Sequence, residues 1–218
     1  AREGLSTAQF LLNHLEDFNL YLTDNKDLNS LDSSWNDIIE NNDHVKFVPT
    51  EEVRNYTFAY VFKSPGIPQH ILTKKYQLNL DEVTLTSNTQ LFFDIINSSS
   101  EKALTIGITG TKGKSTTTSH IYHTLKSAGK PVMLGGNIGV PPLRLLEENN
   151  QIRESIYVLE LSCHQLAELT HSPNIAVIQE ISEDHLDYYP DFETYYQAKT
   201  AICKFQFETD FVIYNQDS

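Results

Sequence analysis

The segment from Ala103 to Leu125, ALTIGITGTKGKSTTTSHIYHTL, constrains the fold most, because a strand pattern leads through a Gly-Lys-Ser turn into a helix pattern. Such a turn suits nucleotide phosphates: glycines let the backbone approach the anion, and the N–H groups of the following helix attract it. Strict Walker A spacing requires a glycine at position 108, where this chain has Ile108. The sequence therefore predicts a phosphate loop of a related but different form.

This loop predicts an ATP site. Lys114 is expected to reach the β- and γ-phosphates, and the Ser115 hydroxyl to ligate Mg²⁺. An ordinary turn with a stray lysine is the alternative, which the position between a strand and a helix disfavours. The predicted ATP-binding residues all belong to the one loop: Gly110, Thr111, Lys112, Gly113, Lys114, Ser115 and Thr116.

Strand and helix patterns alternate along the chain, which predicts an α/β fold with parallel sheets. The first helix pattern runs from Leu5 to Leu15, with Ser6 or Thr7 as possible caps. The polar segment 97–103, NSSSEKA, breaks the alternation, so we predict a domain boundary there, with domains at 1–97 and 98–218. Strand patterns follow at 103–109, 131–135, 155–162, 174–181 and 210–214, and helix patterns at about 114–128 and 191–204.

Charge and composition disfavour several classes of function. The formal net charge of −13 argues against nucleic-acid binding, because phosphate backbones select basic surfaces. No apolar run approaches the roughly 20 residues of a membrane helix, and the N-terminus lacks a signal-peptide core. Cys163 and Cys203 are too few for a disulfide framework. We expect a cytoplasmic protein with neither a membrane nor a nucleic-acid partner.

Four other positions are candidates, each with a structural alternative. Glu160 ends an apolar strand, where it could hold Mg²⁺ or simply face water. His185, flanked by acids, could ligate a second metal or steady a phosphate, although a surface histidine is commoner. Lys199 lies on a predicted helix, where a surface lysine is the ordinary interpretation. Asn137 forms the polar tip of a glycine loop, LGGNIGVPP, which could meet a substrate or be a plain turn.

Five ordered motifs together resemble the Mur ligase family, which forms an amide bond by consuming ATP. They are GTKGKST, GGNIG, ELSCHQL, EDHLD and AKTAI, and they cover nearly all of 103–204. The phosphate loop of this family lacks the distal Walker glycine, which accounts for Ile108. The resemblance implies a Rossmann-like UDP-binding domain followed by a P-loop-type parallel-sheet ATPase domain.

The resemblance also implies catalytic roles. Lys114 would bind the γ-phosphate, Ser115 and Glu160 would hold one Mg²⁺, and His185 would join a second Mg²⁺ site. Lys199 matches a family lysine that CO₂ converts into a metal-binding carbamate. Asn137, Ser162 and Gln165 would contact the muramoyl-alanine substrate.

For the N-terminal domain the resemblance implies a uridine diphosphate site. Asp24 and Asn25, in LTDNK, would face the uracil, and Ser64, Pro65 and Gly66, in KSPGIP, the diphosphate. The form of ELSCHQL is typical of members that add D-glutamate to UDP-N-acetylmuramoyl-L-alanine. The resemblance also implies that three parts would be missing from this chain: the first strand of this domain, part of the central domain and a C-terminal amino-acid-binding domain. We expect this chain to be inactive by itself, although the parent protein is active, and we expect a monomer.

Some residues depart from the family pattern, and other functions stay open. Glu180 stands where the family usually has asparagine, Cys163 replaces a serine, His164 replaces an aromatic residue, and Ala1 stands where a glycine is expected. Another Mur ligase or a folylpolyglutamate synthase is one alternative. A module that binds a UDP-sugar or nucleotide without catalysis is the other.

Overall fold

The computed structural model of the chain describes residues 2–98, 103–148 and 154–216, so Ala1 and part of the polar segment 97–103 lie outside the described residues. The contacts divide the chain into two compact units, one ending at Asn88 and one beginning at Thr89. Both units pair their strands in parallel, which confirms the predicted α/β class. No helix within the described ranges is both long and apolar enough to cross a bilayer.

The first unit contains two separate parallel strand pairs, β1 with β2 and β3 with β4. One apolar cluster gathers around Trp35 and another around Tyr76. The elements are α1 Arg2–His14, β1 Leu20–Leu22, α2 Ser34–Glu40, β2 Val45–Phe47, β3 Tyr60–Phe62, α3 Gln69–Lys74 and β4 Thr84–Thr86, with 3-10 turns at Leu28–Ser30 and Thr50–Asn55. The short helices α2 and α3 were not predicted from the sequence.

Helix α1 begins earlier than the sequence suggested. It starts at Arg2, so the prediction that Ser6 or Thr7 caps it is wrong. Both side chains are buried within the helix, and the Thr7 hydroxyl donates to the backbone carbonyl of Glu3 (2.8 Å). Asn88 donates to the Thr7 hydroxyl (3.0 Å), so these polar groups serve packing inside the unit and not helix initiation.

The second unit is built on a five-stranded parallel sheet with the order β6-β7-β5-β8-β9. Its elements are α4 Asn88–Ser98, β5 Leu104–Thr109, α5 Lys114–Ser127, β6 Val132–Gly136, α6 Pro142–Glu147, β7 Ile156–Glu160, α7 Cys163–Leu166, β8 Ile175–Ile178, α8 Phe192–Thr200 and β9 Phe211–Tyr214, with a 3-10 turn at Ala201–Cys203. The chain moves from β5 to the edge strand β6, returns to β7 beside β5, and then crosses to β8 on the other side of β5. The carboxyl ends of these strands meet at one edge, where ligands bind in open parallel sheets.

Helix α4 belongs to the second unit. The division between the two units therefore falls at the start of this helix, whereas the predicted boundary at 97 falls near its end. Phe92 and Phe93 on α4 are buried, and the Phe92 ring meets the edge of the Tyr157 ring on β7 (5.2 Å between centroids). The apolar face of α4 therefore has its partner in the larger sheet.

Ile108 occupies the interior of the sheet. It belongs to the cluster of Ile106, Val158 and Val177, against which Ile121 of α5 packs. A glycine here would leave a cavity in the central strand. The residue that departs from the Walker pattern is therefore a core residue of β5, and the phosphate loop begins only after Thr109.

Candidate functional site

The loop between β5 and α5 has the backbone of a phosphate cradle. Gly110 and Gly113 both have positive φ, +144° and +80°, and Gly113 is the N-cap of α5. A Cβ on Gly110 would lie only 2.5 Å from Cβ of Gln179, so no larger residue fits. No side chain caps α5, and Ser115 and Thr116 in its first turn are exposed. Open N–H groups at the start of a 14-residue helix attract an anion.

Lys114 is the first residue of α5, and its side chain folds back over the loop. Its ammonium donates to the backbone carbonyl of Thr111 (3.0 Å). This position holds a positive charge at the mouth of the cradle. Lys112, also predicted from the motif, is exposed.

Glu160 is buried at the end of β7, beside the start of α5. Only 1% of the residue is exposed, so the alternative of a carboxylate that faces water is wrong. One carboxylate oxygen accepts from the Ser115 hydroxyl (2.7 Å) and the other from the Asn137 amide (2.9 Å). The Ser115 hydroxyl and the Asn137 amide thus converge on one carboxylate at the edge of the sheet.

The glycine loop after β6 is held tightly against Glu160. Gly136 has φ +103°, and a Cβ there would lie 2.2 Å from the Glu160 carbonyl oxygen. The next residue, Asn137, donates its backbone N–H to the same carbonyl (2.8 Å). The close approach therefore requires glycine and fixes where the Asn137 side chain points.

The oxygen atoms of Ser115 and Glu160 suit Mg²⁺, which prefers hard oxygen ligands and retains several waters or phosphate oxygens. Within the described ranges, no group of three His, Cys, Asp or Glu side chains is close enough to hold a metal by itself. A site of one carboxylate and one hydroxyl fits an ion that also binds substrate phosphates. The chemistry of these residues therefore fits the first predicted metal position.

Lys199 is not the surface lysine of the ordinary interpretation. The residue is 2% exposed, and its ammonium donates to the Gly110 carbonyl (2.8 Å) and lies over the Tyr195 ring (4.8 Å from the centroid). Burial, with a smaller effect from Lys114, lowers the pKa of Lys199 to about 8. A substantial fraction of this amine is therefore neutral near physiological pH.

Tyr195 and Ser182 complete the support of the loop, and sequence reasoning missed both. The Thr111 hydroxyl donates to the Ser182 carbonyl (3.0 Å), so the hydrogen bond between Thr111 and the Tyr195 hydroxyl (3.0 Å) is donated by Tyr195. Burial raises the pKa of Tyr195, which keeps this donor protonated. The spacing of Tyr195 and Lys199, four apart on a helix, was a usable signal that both face the same way.

We predict that Tyr195→Phe lowers the free energy of unfolding by about 1 kcal/mol, because it removes one buried hydrogen bond to the loop. Tyr196→Phe is the matched control, since Tyr196 is the exposed neighbour on the same helix. Urea unfolding of both variants measures the difference. Equal stability of the two variants would show that the Tyr195 hydroxyl does not support the loop.

His185 lies near the cradle but is open to solvent. Its backbone is left-handed, with φ +53°, and 46% of its side chain is exposed. Its ring is 5.2 Å from the His164 ring and 6.1 Å from the Tyr195 ring. Tyr195 in turn bonds to Thr111, so His185 stands on the loop side of α8. Its role as a ligand of a second metal stays a prediction.

Ser162 and Gln165 form a capping box at the start of α7. The Gln165 side chain accepts from the Ser162 N–H (2.9 Å), and the Ser162 hydroxyl accepts from the Gln165 N–H (3.2 Å). Gln165 is 3% exposed and also donates to the Thr89 hydroxyl (3.4 Å). The structure gives Gln165 this structural role, and its substrate contact stays a prediction. Ser162 remains partly exposed at the end of β7.

Within the first unit, the predicted substrate residues follow the ends of β1 and β3. The Asp24 carboxylate accepts from the N–H of Lys26 (3.0 Å), and the Asn25 side chain bonds to the Lys75 ammonium. Ser64, Pro65 and Gly66 form the turn after β3, where the Ser64 carbonyl accepts from Ile67 (3.0 Å). Both loops are accessible, as ligand contact requires.

Comparison with known proteins adds to this geometry. The family model described as Mur ligase middle domain matches residues 108–218. A UDP-N-acetylmuramoylalanine–D-glutamate ligase of Acetivibrio thermocellus is 36% identical over 165 residues, which are 74% of this chain and 33% of the relative. The enzyme of the same name from Petrotoga mobilis is 34% identical over 186 residues, 84% of this chain and 40% of the relative.

Structural comparison shows the same fold in a solved protein. UDP-N-acetylmuramate:L-alanyl-gamma-D-glutamyl-meso-diaminopimelate ligase from Neisseria meningitides matches with a TM-score of 0.57 and 15% identity, over 99% of this chain and 68% of that one. The chain spans about a third of the length of the curated relatives it matches.

Proposed function

Because the chain belongs to the Mur ligase family, we propose that the protein forms an amide bond at the expense of ATP. The observation that carries this proposal is the convergence of the glycine cradle, Lys114 and the Ser115–Glu160–Asn137 cluster at one sheet edge. This arrangement offers a positive charge, helix N–H groups and metal-ligating oxygens to one triphosphate.

The proposed reaction has two steps. A substrate carboxylate attacks the γ-phosphorus of ATP, which forms an acyl phosphate and releases ADP. An amine then attacks the acyl carbon, the amide forms, and inorganic phosphate leaves. The difficulty lies in bringing a carboxylate to a polyanion, so catalysis depends on charge neutralisation and in-line positioning.

Individual residues would meet this difficulty in different ways. The Lys114 ammonium and the N–H groups of α5 stabilise negative charge on the phosphates. Bound Mg²⁺, held by Ser115 and Glu160, would neutralise further charge. Asn137 keeps one Glu160 oxygen in place through its amide, while Ser115 orients the other.

We propose that the neutral amine of Lys199 attacks the carbon of CO₂ and loses a proton to solvent, which gives a carbamate and would turn a cation into an anionic ligand. Support comes from its burial, its lowered pKa and its position on the Gly110 carbonyl. His185 is the candidate for the second metal position. A carbamate carbon signal from ¹³CO₂-treated protein, absent in Lys199→Met, would test this step.

The specific substrates we propose are UDP-N-acetylmuramoyl-L-alanine and D-glutamate, in the synthesis of a peptidoglycan precursor. Support comes from the names of the relatives and from the match across most of this chain. The first unit would bind the UDP moiety through Asp24, Asn25 and the Ser64–Gly66 turn, and the second unit the ATP.

The test is to measure release of inorganic phosphate by the full-length protein with ATP, Mg²⁺, UDP-N-acetylmuramoyl-L-alanine and D-glutamate. We expect release that requires all four. L-alanine, L-glutamate, meso-diaminopimelate and a folate acceptor form the comparison panel, because a different Mur ligase or a folylpolyglutamate synthase would use one of them. If no combination of acceptor and amino acid gives phosphate release, although calorimetry shows that UDP and ADP bind, a non-catalytic binding module is favoured.

A further inference from the structure

Gln179 lies across the mouth of the phosphate loop, directly after β8. Its backbone N–H donates to the Thr109 carbonyl (2.8 Å), which ties it to the end of β5. Its Cβ is 2.5 Å from where a Cβ would stand on Gly110, and its Oε1 is 3.4 Å from the corresponding point on Gly113. The side chain therefore runs from one loop glycine to the other and ends beside the N-cap of α5.

The neighbouring Glu180 meets the loop through its backbone. Its backbone carbonyl accepts from the Thr111 N–H (2.8 Å), while its side chain is exposed. Of these two neighbours, Gln179 is the one whose side-chain atoms lie beside the loop glycines.

The Gln179 amide is available for a ligand. The side chain is half-buried, and among the residues that the structure describes its amide makes no hydrogen bond. Rotation of the amide exchanges its oxygen and nitrogen without moving the rest of the side chain, so its N–H groups can face the cradle. A neutral donor adds a charge-assisted hydrogen bond to a phosphate without adding repulsion toward Lys114.

We propose that Gln179 is a nucleotide-binding residue, whose side-chain amide donates to a phosphate oxygen of ATP at the N-terminus of α5. This inference rests on the proposed function, since it assumes that the cradle binds a nucleotide. It assigns a contact to a residue outside the phosphate-loop motif, at a strand end 65 positions beyond Lys114.

Calorimetry with the magnesium complex of β,γ-imido-ATP tests this assignment, because binding is read without turnover. Gln179→Met keeps the length of the side chain and removes its hydrogen bonds, so we expect about tenfold weaker binding. Gln179→Glu keeps the shape and places a charge beside the phosphates, so we expect about 100-fold weaker binding. Gln197→Met, on the exposed face of α8, is the matched control and should bind as the unaltered chain does.

The order of affinities separates a ligand contact from a packing role. If Gln179 only fills the space beside the glycines, Met and Glu will both retain the affinity of the unaltered chain, and the proposal is overturned. Thermal unfolding of each variant checks the fold, and loss of binding counts only for a variant that melts like the control. If the unaltered chain binds no nucleotide, the proposed function fails together with this inference; normal binding by both variants overturns this inference alone.

Discussion

Replacing Lys114 with methionine in the full-length protein is expected to lower the rate of amide formation by about a thousandfold and the affinity for a triphosphate by about a hundredfold. Lys114 places an ammonium at the mouth of the cradle, 3.0 Å from the Thr111 carbonyl, where the β- and γ-phosphates would lie. The charge on the γ-phosphoryl group changes during transfer, so the loss in rate should exceed the loss in affinity for the triphosphate. Steady-state phosphate release and calorimetry measure the two quantities.

Lys126→Met is the control for this prediction. Lys126 lies in the last turn of the same helix, exposed to solvent and bonded to the Tyr122 hydroxyl (3.0 Å). The substitution removes the same charge from α5 at a distance from the cradle, so the rate of amide formation and the affinity for a triphosphate should each stay within about twofold of the unaltered protein. Equal losses in the two variants would point to the net charge of the chain, and would contradict a specific phosphate contact by Lys114.

In buffer free of CO₂, where Lys199 carries no carbamate, Lys199→Met is expected to raise the stability at pH 7 by about 2 kcal/mol, and in the full-length protein it is expected to abolish amide formation. Burial lowers the pKa of Lys199 from 10.5 to about 8, so folding disfavours the proton that the unfolded chain retains. That difference corresponds to about 3 kcal/mol, from which the lost hydrogen bond to Gly110 subtracts about 1 kcal/mol. The lysine is therefore kept at the cost of stability, as expected of a reactive group.

The lowered pKa of Lys199 also sets the direction in which stability changes with pH. Between pH 8 and 10.5 the unfolded state binds more protons at Lys199 than the folded state, so this group makes the protein more stable as pH rises through that window. Below pH 8, Lys199 is protonated in the folded state as well, and the full free-energy cost of burying its charge applies. Lys199→Met should remove this slope, whereas Lys204→Met, at an exposed site near the end of the same helical segment, should leave it unchanged. Denaturant unfolding across this pH range measures both quantities. A Lys199→Met variant that is less stable, or whose stability has the same pH slope as that of the unaltered chain, would contradict this account.

The local features of the second unit could be predicted because they depend on neighbouring residues. The glycine positions, the strand before them and the helix after them follow from backbone preferences and from apolar periodicity within a short window. The same reasoning failed at the start of α1, where Ser6 and Thr7 had the chemistry of helix caps but serve packing with Asn88. A capping residue and a buried polar contact look alike until the packing partner is known.

The sequence by itself determined the parallel α/β class, the phosphate loop and the candidate identities of Lys114, Ser115, Glu160 and Lys199. Only the tertiary structure decided that Ser115 and Glu160, 45 positions apart, share a hydrogen bond, and that Lys199 reaches Gly110 across 89 positions. Burial and pKa depend on which distant segments pack around a group, and no local pattern encodes them. For the same reason the side chains of Tyr195 and Gln179 became visible as parts of the site only when β5, β8 and α8 were brought together.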